Sequence, residues 1–393
     1  MIDTSGRIQI KAVRVIGANK PPAEVSFAQG FNVISGASNT GKSYILQCIE
    51  YGLGAGKTPK HIEESVGYES VQLDFVSGGD TFTLERSLKG GDARIFGTDA
   101  TGSPLPPRFL AEEHSPTDPN TISGFLLQHT GFWNKRVRTS KSGELRSLSF
   151  RDLADLIIVD ESKIISDASP LLTGQYTSKT AERSVFNLLL SGVDDSSIIA
   201  VETKLRECEA AMLETTEEPQ FSSTMISESV EYFTLEVQHL LESWSYPDLR
   251  RVTFSEADAD LIIAGRKRAT EGKGLRAISY GGFVIGLMNY CRRGSRSHPG
   301  FVVLDSPLVT YKKKDIKHGE AIPDDVKSAF FSVLSKMPPN MQVIVLENED
   351  PPEEIRASLH YQHFSRSEIS DTVFSLGRLA RRRRKCSLLP GGG

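Results

Sequence analysis

Phe31-Asn-Val-Ile-Ser-Gly36-Ala-Ser-Asn-Thr-Gly41-Lys42-Ser43 is the stretch on which the reading of this chain turns. It fits G-x-x-x-x-G-K-[ST], follows an apolar strand and precedes an amphipathic helix running from Tyr44 to about Leu53. A phosphate chain needs backbone N–H groups turned towards it, and glycines permit that close approach. Gly36, Ala37, Ser38, Asn39, Thr40 and Gly41 form such a cradle. Lys42 supplies a point charge for β- and γ-phosphates, Ser43 a hydroxyl for Mg²⁺, and the helix start at Ser43 and Tyr44 a partial positive charge.

Three other apolar runs end in acids that can face the same nucleotide: one at Asp160-Glu161, Phe301 to Asp305, and Gln342 to Glu347. In a sheet of P-loop type, Asp305 at a strand's C-terminal end is placed to act on Mg²⁺ beside Ser43. The glycine-rich Ser279-Tyr-Gly281-Gly282 near the start of a predicted helix is a second candidate: amides at a helix start can bind phosphate, while a serine cap on a softened turn is the plainer alternative.

Elsewhere, alternating strands are expected at 8–15, 25–27, 71–75, 81–86 and 94–96, with a hairpin at Ser77-Gly-Gly-Asp80. Residues 98–120 read as loop, and Ser149 to Val159 as one capped helix. Two helices of some twenty residues, about 30 Å long at 1.5 Å per residue, follow Ser196 with a break at Thr215 to Pro219. They form either an antiparallel hairpin or two ordinary packed helices. Later strands are expected at 252–254, 261–264, 301–305, 342–347 and 372–376.

At 393 residues with 38% hydrophobic and 24% charged content, the chain suits a two-lobed globular fold. The absence of a membrane-length apolar run or a signal segment leads us to expect a cytoplasmic protein with no membrane role. Cys48, Cys208, Cys291 and Cys386 lie far apart, as free thiols do. A net charge of −4 does not advertise nucleic acid, although Lys135, Arg136, Arg138, Lys141 and Arg146 gather in one loop and Arg378 to Lys385 in a basic tail. His360 and His363 read as a solvated pair, since no acid or cysteine stands at metal spacing.

The order of P-loop, helical pair, Ser-Gly-Gly-like signature and acidic strand resembles the ATPase heads of SMC, RecN and related DNA-repair proteins in the ABC superfamily. Thr83-Leu-Glu-Arg-Ser, Ser149-Phe-Arg-Asp, Gly192-Val-Asp-Asp and Leu304-Asp-Ser-Pro-Leu look like a bacterial branch of such ATPases. The resemblance implies an α/β ABC-type head: a mixed sheet with an antiparallel subdomain, interrupted by an antiparallel helical hairpin. Its expected parts are an N-terminal lobe at 1–195, the hairpin at 196–245 and a C-terminal lobe at 246–393. It makes Gly36 to Ser43 the Walker A motif, Ser279, Gly281 and Gly282 the signature, and Asp305 the Walker B acid. It also implies a homodimer sandwiching two ATP molecules with Mg²⁺, DNA as a partner in repair, chromosome maintenance or defence, and accessory subunits.

The chain departs from the pattern in five places, one of them the signature itself, Ser279-Tyr-Gly-Gly rather than Ser-Gly-Gly. Ser306 replaces the usual glutamate after the Walker B acid, and Glu161 stands at the Q-loop glutamine. Glu347-Asn348 replaces the switch histidine, and the helical arm is short. Glu347 and Glu161 are therefore the candidates for activating water, Glu161 also for holding the metal, and slow turnover is expected. The competing expectation is an ATP-dependent switch that recruits an effector without acting on DNA.

Overall fold

The P-loop stretch leads from a strand of a parallel sheet into a helix that packs between two sheets. β1 (Gln9–Gly17), β2 (Lys20–Ser26) and β3 (Gly30–Gly36) lead into α1 (Lys42–Gly52), followed by β4 (Ser70–Ser77), β5 (Asp80–Ser87), β6 (Ala93–Thr98) and β7 (Pro104–Leu110). Then come α2 (Ile122–Thr130), the hairpin β8 (Arg136–Arg138) and β9 (Leu145–Ser147), α3 (Phe150–Ala154), β10 (Ile158–Val159), α4 (Glu161–Ile164) and α5 (Lys179–Ser191). The long helices are α6 (Asp195–Leu213) and α7 (Ser227–Ser243). Beyond them lie β11 (Val252–Ser255), β12 (Asp260–Ile263), β13 (Arg266–Lys267), α8 (Lys273–Arg293), β14 (Phe301–Asp305), α9 (Asp324–Leu334), β15 (Gln342–Glu347) and β16 (His360–Phe364). This computed structural model describes residues 6–38, 40–140, 142–213, 227–308 and 324–364. Asn39, Lys141, the break between the long helices, the strand expected at 372–376 and the basic tail lie outside the described residues.

An antiparallel sheet runs β2-β1-β4-β5-β6-β7, and a parallel sheet runs β10-β14-β15-β3-β16. β3, β14 and β15 are buried along their whole length, as befits strands covered on both faces. α1 packs between the sheets, touching β4 and β5 on one side and β3, β14 and β15 on the other. Buried Gln342 ties the sheets together: its amide accepts from Ile10 N (2.9 Å) and donates to Ile10 O (2.8 Å) and Ala28 O (2.9 Å). Buried Arg86, in the Thr-Leu-Glu-Arg motif, donates to Tyr51 O (2.7 Å) and Ala55 O (2.8 Å) around the end of α1, and to Glu112 (2.7 Å).

Two sequence expectations change. Residues 104–110 are a strand, not loop, and three prolines disguise it; β7 is a sheet edge, where a missing N–H is tolerated. β2 likewise carries Pro21 and Pro22 on the opposite edge. The helix expected over 149–159 stops at Ala154, and Ile158 and Val159 pair in parallel with Val303 and Leu304. The apolar Leu-Ile-Ile-Val run suits either structure, and the open edge of β14 selects strand.

Both long helices are present, and α7 lies along α8 and β11. Its Phe233, Val237 and Leu241 are buried, as is Trp244 just beyond its end. A Cβ on Gly286 would stand 2.8 Å from Val237 Cγ2, and one on Gly282 2.9 Å from Leu241 Cδ2. These glycines, one helical turn apart, let α7 approach. Gly286→Val is expected to lose roughly 1–3 kcal/mol of stability in denaturant melts, the usual cost of overpacking a full core; an unchanged midpoint would refute the close contact.

Candidate functional site

The loop from Gly36 to Gly41 opens where β3 ends, and local sterics explain both glycines. A Cβ on Gly36 would lie 2.4 Å from Phe364 O of the neighbouring strand. Gly41 has φ of 90° at the N-terminal cap of α1, a left-handed conformation costly for other residues. Lys42 is 5% exposed and its ammonium donates to Gly36 O (2.6 Å) and Ala37 O (2.8 Å). Burial lowers its pKa, while the carboxylates of Asp305, Glu347 and Glu161 pull it back up.

Ser43 Oγ donates to Asp305 Oδ2 at 2.8 Å, so residues 262 positions apart meet at the ends of neighbouring elements. Burial raises the pKa of Asp305, and hydrogen bonds from Ser43 and Ser306 oppose the rise. Ser306 follows with φ of 56°, unusual for a residue with a side chain. Its N–H donates to Leu346 O (2.7 Å) and its hydroxyl to Asp305 Oδ1 (3.1 Å).

These groups line a cavity of about 440 Å³. The loop residues Ser38, Thr40 and Gly41 form one part of its wall, with Lys42, Ser43 and Tyr44 beside them. Asp305, Ser306, Glu161 and Asn348 form the acidic and amide side. Glu161 opens α4, whose cap Asp160 accepts from Ser162 N (2.8 Å) and Lys163 N (2.9 Å). Sequence reasoning missed Gln47, Lys60, Ile62 and Glu64, which complete the wall. The last three sit on an irregular segment after α1 with no motif, and only the fold brings them over the loop.

Two expectations about the site are corrected. Glu347 is fully buried and does not line the cavity; its carboxylate accepts from Leu308 N (2.9 Å) and Asn348 N (2.7 Å). It anchors the loops carrying Ser306 and Asn348. Burial pushes its pKa up to about 7, against those two N–H donors. In an unfolded chain a glutamate titrates near 4.3. A raised folded pKa contributes stability that is fully present below the unfolded value and lost as pH rises through about 7. The melting temperature should therefore fall between roughly pH 4 and 7 more steeply in the parent than in Glu347→Gln; parallel profiles would contradict this.

The second correction concerns Ser279, Gly281 and Gly282. Ser279 is fully buried in the interior of α8, its hydroxyl donating to Arg276 O (3.0 Å). A Cβ on Gly281 would rest 3.5 Å from Leu304, and Gly282 faces Leu241. Buried in the interior of α8, these residues present neither a hydroxyl nor free helix-start amides at the surface. The true start of α8 is at Gly272 and Lys273. That end is braced against the segment after Glu161: Arg276 Nε donates to Ile165 O (2.9 Å) and Arg268 to Ser166 O (3.1 Å).

Among the described residues, three of the basic loop's side chains pair with acids of the chain. Lys135 lies 3.9 Å from Asp194, buried Arg138 3.3 Å from Asp195, and Arg146 makes a two-pronged pair with Asp152. Cys48 and Cys291 are free and buried. Among the described residues no single helix is long and apolar enough to cross a membrane, and no group of three His, Cys, Asp or Glu is set to hold a metal.

A family model described as an AAA domain matches residues 7–221. A DNA double-strand break repair Rad50 ATPase from Thermoplasma acidophilum is 36% identical over 70 residues, which is 17% of this chain and 8% of that protein. An Smc head solved with the C-winged helix domain of ScpA superposes with a TM-score of 0.52 at 12% identity, over 92% of this chain and 95% of that one. An Smc head with an extended coiled coil, bound to the C-terminal domain of ScpA from Pyrococcus furiosus, gives 0.48 at 14% identity over 93% and 95%. The first of these superpositions gives the chain the fold of an Smc head.

Proposed function

Since the chain belongs to the AAA domain family, we propose that it is an ATP-binding head that hydrolyses ATP slowly, pairs with a second copy around two ATP molecules, and acts on DNA. The observation that carries this reading is the contact of Ser43 with Asp305 beside Lys42 in one cavity. A serine hydroxyl and a carboxylate are hard oxygen donors and suit Mg²⁺, which would neutralise phosphate charge there. Ser43 and Asp305 would hold it, with Glu161 the further carboxylate on the cavity wall. Lys42 leaves the carbonyls of Gly36 and Ala37 to bind the β- and γ-phosphates. Ser306 has a hydroxyl turned to Asp305 and is a poor base, so Glu161 is the residue we assign to orient and polarise the attacking water.

The dimer-facing element in this reading is the start of α8, Gly272 to Gly274, in place of the buried Ser279 to Gly282. A helix start offers N–H groups and partial positive charge to a phosphate on the other copy. Lys273→Glu is expected to keep ATP binding and to prevent ATP-dependent dimers in light scattering; normal dimers would rule this surface out.

The internal pairing of Lys135, Arg138 and Arg146 favours a second reading, an ATP-dependent switch that recruits an effector protein. A DNA titration across salt separates the two. Phosphate contacts release counterions, so a DNA-acting head should lose affinity steeply with salt. Negligible binding at every salt concentration, with ATP present, would favour the switch.

A further inference from the structure

At the β3–β16 edge, just before the phosphate loop, lies a polar cluster with no role in the site so far. Buried Ser35, adjacent to Gly36, donates its hydroxyl to the Asp350 carboxylate. Tyr361 OH lies 3.1 Å and His363 Nδ1 3.0 Å from the same Oγ. His363 Nδ1 also meets Asp350 Oδ1 at 2.9 Å, and Arg356 lies 3.7 Å from Asp350 Oδ2. Tyr361 and His363 project from one face of β16, opposite Val33 and Ser35. Burial raises the pKa of Asp350, but the donors Ser35, Tyr361 and His363 outweigh it and hold the carboxyl below its ordinary range. Asp350 is therefore an anion throughout the neutral range.

Only Asn348 and Glu349 separate Asp350 from Glu347, whose carboxylate is itself tied to Leu308 N. The two-residue step is pinned at both ends, and Asn348 is the part of it that reaches the cavity, beside Asp305 and Ser306. We propose that Asp350 is a positioning residue: held by Ser35 and His363, it sets the Asn348 amide where it can donate to the third phosphate of the nucleotide. This rests on the cavity being an ATP site. An amide offers two N–H donors, and a terminal phosphate offers charged acceptors absent from a diphosphate. Without its anchor the step is free to withdraw, while the phosphate loop keeps its own grip on the rest of the nucleotide. Asp350 therefore governs the preference for triphosphate over diphosphate.

The test is equilibrium titration of the full chain with ATPγS and with ADP, in the presence of Mg²⁺, alongside thermal melts. Asn348→Ala is expected to cut the ATPγS-over-ADP preference by about tenfold, the scale of one hydrogen bond to a charged group. Asp350→Asn should cut it similarly, and the double variant no further, because both remove the same contact. His363→Ala, altered on the half-exposed strand face, should give a smaller loss of about threefold in the same direction. A purely structural role would lower the melting temperature or weaken both nucleotides equally. Asp350→Asn with the parent's preference, or a loss that adds to that of Asn348→Ala, overturns the proposal. A parent that binds neither nucleotide instead overturns the ATP-site reading beneath it.

Discussion

Lys42→Ala is expected to weaken ATP binding by about a hundredfold or more, since hydrogen bonds from a charged donor contribute about 1.5–3 kcal/mol each and the ammonium serves two phosphates. The structure adds a second reason. The ammonium closes the loop through Gly36 O and Ala37 O, so the variant also loosens the cradle before nucleotide arrives. Lys42→Met keeps the buried stem and isolates the charge. Both variants should titrate a fluorescent ATP analogue far more weakly than the parent, and melts should show both folded. An unchanged affinity for either would remove the phosphate-loop assignment.

Glu161→Gln should slow single-turnover hydrolysis by about a hundredfold, the lower range for losing a positioned general base, while ATP affinity changes by less than about threefold. The argument is by engagement of oxygens. Asp305 accepts from Ser43 and Ser306, and Glu347 from two backbone N–H groups, so neither has a carboxylate oxygen free of a donor. The exposed Glu161 lines the same cavity, and its carboxylate has no hydrogen-bond partner among the described residues. Glu347→Gln is expected to act differently, through Asn348 and Leu308, and to show it as altered melting with pH. Hydrolysis by Glu161→Gln at the parent rate would overturn the assignment.

These two predictions divide as the molecule does. The sequence by itself determined the parts made of contiguous chemistry: the Gly36 to Ser43 loop between strand and helix, the acidic strand ending at Asp305, and the hairpin at Gly78 and Gly79, both with positive φ. Each is a short-range pattern in which residue type and backbone geometry imply one another. Resemblance carried the rest of the ABC-type architecture, and it was least reliable where a glycine has two uses. Gly281 and Gly282 read equally as phosphate-facing or as packing residues, and only α7 lying on α8 decided for packing. Glu347 and Glu161 are both acids at the ends of apolar runs, and residue type does not tell them apart. The pairing of β15 between β3 and β14 buries the first against backbone amides, while α4 leaves the second exposed on the cavity wall. Lys60, Ile62, Glu64 and the Ser35–Asp350–His363 cluster carry no pattern at all. In the cluster, Ser35 and His363 are 328 positions apart, and only the parallel pairing of β16 with β3 makes them neighbours.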